Sequence, residues 1–186
     1  MIIGDSGVGK STLFSRLTNT AHDDSPTIGI EFGTTLTAIP DGTTIKVNIW
    51  DTAGQEFYHA IVKNYYRDIV GAIFVFDISN ADSFKNIKNV WMEEFKKYNQ
   101  HFVKNLLIGN KSDLIRCVDF YEAKQFAEQN DMDYVEISSL NNNNIHYFDS
   151  YIEQIYQAMP LEIQTGMGIL KNNIPREEVP KCCVIN

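Results

Sequence analysis

Apolar residues in this chain fall into short runs with two different periods. Ala72–Ile78 and Leu106–Ile108 are almost unbroken apolar stretches, the pattern of strands buried on both faces. Val135–Ile137 is a third, shorter strand candidate. Phe32–Ile39 and Thr44–Trp50 flank Pro40-Asp41-Gly42, which predicts a β-hairpin. In the second of these runs Ile45, Val47 and Ile49 alternate with Lys46 and Asn48, the period of a half-buried strand. Elsewhere the period is helical. Phe84, Ile87, Trp91, Phe95 and Tyr98 share one stripe, and Ile145, Phe148, Ile152, Ile155 and Met159 share another, so both are expected to be core-facing helix stripes. Asp119, with Glu122 three positions on, predicts the start of a helix running through Glu128. Ser11–Leu17 predicts a helix after a glycine-rich loop, and Thr18–Pro26 an exposed polar loop. Met1-Ile2-Ile3 leaves only a very short first strand: either the strand is clipped or the true start lies upstream. Strands alternating with helices, plus one hairpin, amount to a doubly wound α/β domain. Pro160 ends the last helix, and no period survives from there to Asn186. The expected organisation is a domain over residues 1–159 and a flexible tail over 160–186.

Composition narrows the classes of function. Among 186 residues, 44% are hydrophobic and 22% charged, ordinary for one globular domain and not for a disordered or disulfide-stapled chain. The longest apolar run, Val70–Phe76, is far too short to span a bilayer, and no charged segment with an apolar stretch opens the chain as a secretory leader would. The net charge of −8 argues against general nucleic-acid binding, which needs a basic surface, and against electrostatic attraction to anionic membranes. Of three cysteines, Cys117 stands alone while Cys182 and Cys183 are adjacent near the end. That pattern suits a reducing cytosol rather than a secreted framework.

Three motifs carry chemistry. Gly4-Asp5-Ser6-Gly7-Val8-Gly9-Lys10-Ser11 matches G-x-x-x-x-G-K-[ST]. Its glycines let the backbone curl so that successive N–H groups face phosphate oxygens, and the helix behind it adds its positive end. Lys10 is expected on the β- and γ-phosphates, Ser11 on Mg²⁺, and Thr12 beside them. Asp51-Thr52-Ala53-Gly54-Gln55 directly follows the strand ending at Trp50. Asp51 is placed to hold Mg²⁺, Gly54 to bring its N–H to a γ-phosphate, and Gln55 to orient an attacking water. Asn110-Lys111-Ser112-Asp113 follows a buried strand. A carboxylate there can accept from both the N1–H and the 2-amino group of guanine, a donor pair adenine lacks. Each motif alone is weaker evidence than the three in order, which point to guanine.

With these elements in order the chain resembles small GTPases of the Ras superfamily. Ile28-Gly29-Ile30-Glu31-Phe32, Lys46–Gly54, Tyr65-Tyr66-Arg67 and Ala72–Asp77 are similar to segments by which the Rab family is told apart. The resemblance implies a six-stranded, mostly parallel sheet with one antiparallel hairpin strand, flanked by five helices. It also implies a monomeric GTP/GDP switch in vesicle traffic. Thr27 would be the switch I threonine, joining Mg²⁺ and the γ-phosphate. Switch I would cover residues 21–32 and switch II residues 54–67. Phe32, Trp50 and Tyr65 match an aromatic triad that faces effectors, with Ile28 beside it. Ser138, Ser139 and Leu140 stand where the family has its last guanine element, Ser-Ala-Lys, and the Ser139 N–H would meet guanine O6. Partners implied are an exchange factor, an activating protein, effectors on both switches, and a GDP dissociation inhibitor or escort protein. No arginine is an evident finger in cis, so an activating protein is expected to supply one or to reposition Gln55.

Departures from the family are visible too. Ser11 to Thr27 is about two residues shorter than the family usually has and lacks the family's usual aromatic residues, for which His22 could substitute although a lone histidine in an acidic loop is more often just solvated. Phe57 replaces a basic residue, and Leu140 replaces lysine. These features predict faster nucleotide exchange with guanine specificity kept. The shortened switch I keeps open a rival reading, a membrane-tethered pseudo-GTPase without hydrolysis. A P-loop ATPase or nucleoside kinase is disfavoured by Asn110–Asp113. Cys182-Cys183-Val184-Ile185-Asn186 reads either as a doubly prenylated Rab-like end or as a C-a-a-X box on Cys183. Glu162, Glu177 and Glu178 balance Lys171, Arg176 and Lys181. Without a polybasic patch, stable anchoring needs a second lipid, and the expected location is the cytosolic face of an intracellular membrane.

Overall fold

The computed structural model describes residues 1–21, 27, 29–40, 42–52, 63–99 and 104–159. Strands β1 (Ile2–Ile3), β2 (Ile30–Ala38), β3 (Thr44–Thr52), β4 (Gly71–Asp77), β5 (Lys104–Asn110) and β6 (Met132–Glu136) form one sheet. Their order is β2-β3-β1-β4-β5-β6, and every pairing is parallel except β2 with β3. Helices α1 (Lys10–Thr18), α2 (residues 81–98), α3 (Phe120–Gln129) and α4 (Tyr147–Ala158) flank it. This is the α/β sheet the residue pattern predicts. Five helices were implied by the resemblance; four are found among the described residues, with a 3₁₀ turn at Lys63–Asp68, and residues 54–62 of switch II lie outside them.

The sheet is buried on both faces because its central strands alternate two sets of apolar side chains. Ile3, Phe74, Phe76 and Leu107 pack with Phe84, Ile87, Trp91, Met92 and Phe95 of α2 and Ala123 and Ala127 of α3. Ile2, Ile73, Val75, Leu106 and Ile108 pack on the other face with Leu13, Phe14 and Leu17 of α1 and Ile152 and Ile155 of α4. Successive strands leave β1 in opposite directions, toward β3 on one side and β4 on the other. Loops at the carboxyl ends of strands beside such a reversal form the crevice in which this class of sheet binds ligands.

Several element limits differ from the sequence expectations. β3 runs past Trp50 to Thr52, so Asp51 lies within the strand, opposite Ile2 and Glu31. Two polar residues can be buried there because Thr52 donates its hydroxyl to the Ile2 carbonyl at 2.8 Å and Asp51 belongs to a polar cluster described below. β6 is Met132–Glu136 rather than Val135–Ile137. It is the edge strand, and its half-exposed Asp133 and Tyr134 hide the apolar signal a central strand would show. α2 carries a π turn over Ile87–Trp91, and Tyr98, expected on the buried stripe, is exposed at its end. On α4 the stripe missed Tyr151, which is 1% exposed. Its hydroxyl meets the carbonyls of Lys104 at 2.7 Å and Ala72 at 3.1 Å. The expected cap on α3 is present: Asp119 accepts from the Glu122 N–H at 2.9 Å, as an N-cap does.

Tyr151→Phe removes the only side-chain donor of a buried residue and leaves those carbonyls short of a partner. The expected loss is about 1–3 kcal/mol, read as a lower urea midpoint with an unchanged slope.

Candidate functional site

The loop between β1 and α1 sits at the reversal of the sheet order. Gly4 passes so close to β4 that a Cβ would lie 2.2 Å from the Val75 carbonyl oxygen. Gly9, at φ 93°, precedes α1, and a Cβ there would lie 2.3 Å from Asn110 Nδ2; only glycine meets both demands. Val8 is buried between them, while Ser6 and Gly7 face outward. α1 begins with no side-chain cap and no acidic residue in its first turn. Its positive end is therefore left for an external anion.

On the phosphate side Lys10 and Asp51 are buried charges, 5% and 0% exposed. Lys10 Nζ donates to the Asp5 carbonyl at 2.7 Å. Burial lowers its pKa to about 8, against the opposing pull of Asp51 and Asp5. Burial likewise pushes the Asp51 carboxyl up, opposed by the Ser11 hydrogen bond and the Lys10 charge. Asp51 Oδ2 accepts from Ser11 Oγ at 2.5 Å and Thr27 Oγ1 at 3.4 Å, and the two hydroxyls are 2.7 Å apart. Asp51 Oδ1 is buried and has no partner among the described residues. An orphaned carboxylate oxygen beside two converging hydroxyls is a hard, all-oxygen donor set, which fits a Mg²⁺ ion that keeps phosphate and water as further ligands.

On the base side Asn110 is 1% exposed. Its Nδ2 donates to the Val8 carbonyl at 2.8 Å, and its Oδ1 accepts from Ser139 N at 3.1 Å and Ser139 Oγ at 2.8 Å. The residue therefore ties two loops together. The Ser139 N–H, expected to face guanine O6, is donated to Asn110 instead. Asp113 accepts from the Ser138 hydroxyl, which fixes one edge of the carboxylate. Lys111, at φ 63°, extends its ammonium to Asp77 Oδ2 at 2.7 Å. Burial works to raise the Asp77 pKa, but hydrogen bonds from Lys111 and Ser79 outweigh it and hold the carboxyl below its ordinary range. Leu140 is 68% exposed. Its carbonyl and that of Ser139 accept from Arg16 of α1, each at 3.1 Å. Arg16 was not among the expected site residues. The partners lie 123 and 124 positions away, and no local pattern signals such a contact.

Phe32, Trp50 and Tyr65 form a continuous aromatic surface. Phe32 lies opposite Trp50 in the β2–β3 ladder, with ring centroids 4.7 Å apart, and Trp50 lies 5.2 Å from Tyr65. Thr12 is on α1. Ile28, Gly54, Gln55, Cys182 and Cys183, like His22 and Phe57, lie outside the described residues.

A doubly wound sheet whose first loop offers glycine-curled backbone, a buried lysine and a helix N-terminus defines a P-loop nucleotide-binding protein. The family model described as Ras family matches residues 1–157, and the chain belongs to that family. It is a small GTPase, a guanine-nucleotide-binding switch, of a kind that works with exchange factors, activating proteins and effectors.

With Lys10 at about 8 in the protein alone and at 10.5 when unfolded, the unfolded chain holds more protons between those values. This group's contribution to stability therefore rises with pH through that window. Phosphate oxygens beside the amine restore its charge. GDP binding half a unit above that lowered pKa should take up a fraction of a proton, measured by titration calorimetry in buffers of different ionisation enthalpy.

Proposed function

We propose that this chain is a Rab-like small GTPase that hydrolyses GTP to GDP and regulates vesicle-mediated transport. The observation that carries the subfamily reading is the contiguous aromatic trio Phe32–Trp50–Tyr65, with Phe32 51% and Tyr65 38% exposed. Large aromatic residues held together at a surface favour a binding role over a purely core one. They border the two segments that the γ-phosphate would order, so a partner seated there would read the nucleotide state.

Ser11, Thr27 and Asp51 would hold Mg²⁺, which when bound would supply positive charge against the developing negative charge of the phosphates. Lys10 and the start of α1 bind the same phosphates. Gln55 orients the attacking water and Gly54 offers its N–H to the γ-phosphate, while an activating protein completes the site. Asp113 reads guanine. Thr27 would join the γ-phosphate through its N–H in the GTP state, so loss of that phosphate would release switch I. Residues 160–186 serve as a flexible tail carrying prenyl groups on Cys182 and Cys183. They attach the protein to the cytosolic face of an intracellular membrane, with an escort protein or GDP dissociation inhibitor extracting it.

Denaturing the purified protein should release GDP or GTP, and bound ATP would overturn the reading. Gln55→Leu should slow single-turnover GTP hydrolysis by about tenfold or more, ~1.4 kcal/mol of barrier, with GTP affinity unchanged. Equal rates would remove Gln55 from the mechanism and favour a binding module without hydrolysis. Mass spectrometry after prenylation in cell extract should find two isoprenyl groups on the wild type and one on Cys182→Ser. A single group on both would mean a C-a-a-X end.

A further inference from the structure

Asp5 is an odd residue for its position, an acid inside a loop that receives anionic phosphate. Left free, its charge would oppose the ligand. Its side chain is instead held from behind the loop. Trp91 Nε1 donates to Oδ1 at 2.6 Å and Asn86 Nδ2 donates to Oδ2 at 2.7 Å. Both donors come from α2, 86 and 81 positions along the chain. The same residue's carbonyl accepts the Lys10 amine at 2.7 Å, so the position of Asp5 bears directly on the phosphate-binding lysine.

The π turn of α2 explains how both donors reach one carboxylate. At the α-helical 100° per residue, residues five apart point about 140° away from each other. An i→i+5 turn stacks them instead. The π segment covers Ile87–Trp91, with the Met92 N–H donating to the Ile87 carbonyl, and thereby brings Asn86 and Trp91 to the same side of the helix. Trp91 lies on the stripe that the pattern of apolar residues assigns wholly to the core. It is 2% exposed, yet its one polar atom serves the phosphate loop.

We propose that Trp91 and Asn86 are positioning residues for the phosphate loop. They bind the Asp5 carboxylate, turn it away from the phosphate seat and so set how fast guanine nucleotide leaves. The proposal rests on the guanine-nucleotide reading of the site.

The test is release of N-methylanthraniloyl-GDP from the full chain. Trp91→Phe and Asn86→Ala should each speed release about tenfold, the loss of one hydrogen bond to a charged group. Asp5→Asn added to Trp91→Phe should bring release back to within about threefold of wild type, because a neutral amide no longer opposes the phosphates. A purely structural role for Trp91 predicts no such rescue. Unchanged release in both single variants, or acceleration that Asp5→Asn fails to relieve, overturns the proposal. A second readout needs no nucleotide. In a Trp50→Phe background the single remaining indole ¹⁵N–H resonance should lie downfield and move upfield on Asp5→Ala; a resonance that does not move overturns the clamp. If the wild type takes up no labelled GDP, the guanine reading fails, and the indole resonance decides the clamp by itself.

Discussion

The side-chain amide of Asn110 joins two loops of the protein. It donates to the phosphate loop at Val8 and accepts from the 138–140 loop at Ser139. The phosphate half and the base half of the site therefore share one buried joint. Its cost would be high if either partner were missing, since an unpaired amide in that setting loses its full desolvation energy. Gly9 is glycine for the same reason: any side chain there would occupy the space the amide needs. Arg16 adds a second tie from α1 to the carbonyls of the 138–140 loop. The spacing of Lys10 from Asp113 is thus set by short contacts between loops, each anchored to the end of a strand of the sheet.

Electrostatics sets the other constraint. Lys10 and Asp51 are buried with opposite charges, and desolvation moves the pKa of each toward its neutral form. Those shifts are unfavourable for the folded protein alone, and the phosphates of a guanine nucleotide would relieve that of Lys10. Local stability is given up for ligand affinity, as is usual at functional sites. Thr27 reaches the same cluster through its hydroxyl, which meets Ser11 Oγ and Asp51 Oδ2.

The central strands and the phosphate loop were legible because their signals are local. A run such as Ala72–Ile78 announces burial on both faces, and G-x-x-x-x-G-K-S encodes a backbone curl within eight residues. The hairpin, the Asp119 cap and the stripes of α2 and α4 were legible on the same ground. Less visible were features whose meaning depends on a neighbour. The edge strand β6 hid its apolar signal, Asp51 and Thr52 were placed just after the end of a strand that they finish, and Tyr151 fell outside the apolar stripe of α4. The π turn in α2 left no mark on a stripe that fits an α-helix nearly as well.

What the chain determined by itself is the order of motifs, and hence a guanine-nucleotide site on a doubly wound sheet. Glycine conformation, charge type and hydrophobic period are properties of residues close in sequence. Tertiary structure alone decided which side chains face the ligand and which serve the framework. The Ser139 N–H is turned to Asn110, the Lys111 ammonium to Asp77, and the Asp5 carboxylate to Trp91 and Asn86. Those assignments follow from hydrogen bonds between groups 29 to 86 positions apart. Such pairings form only once the sheet has brought its strand ends together, and nothing in the spacing of the residues encodes them.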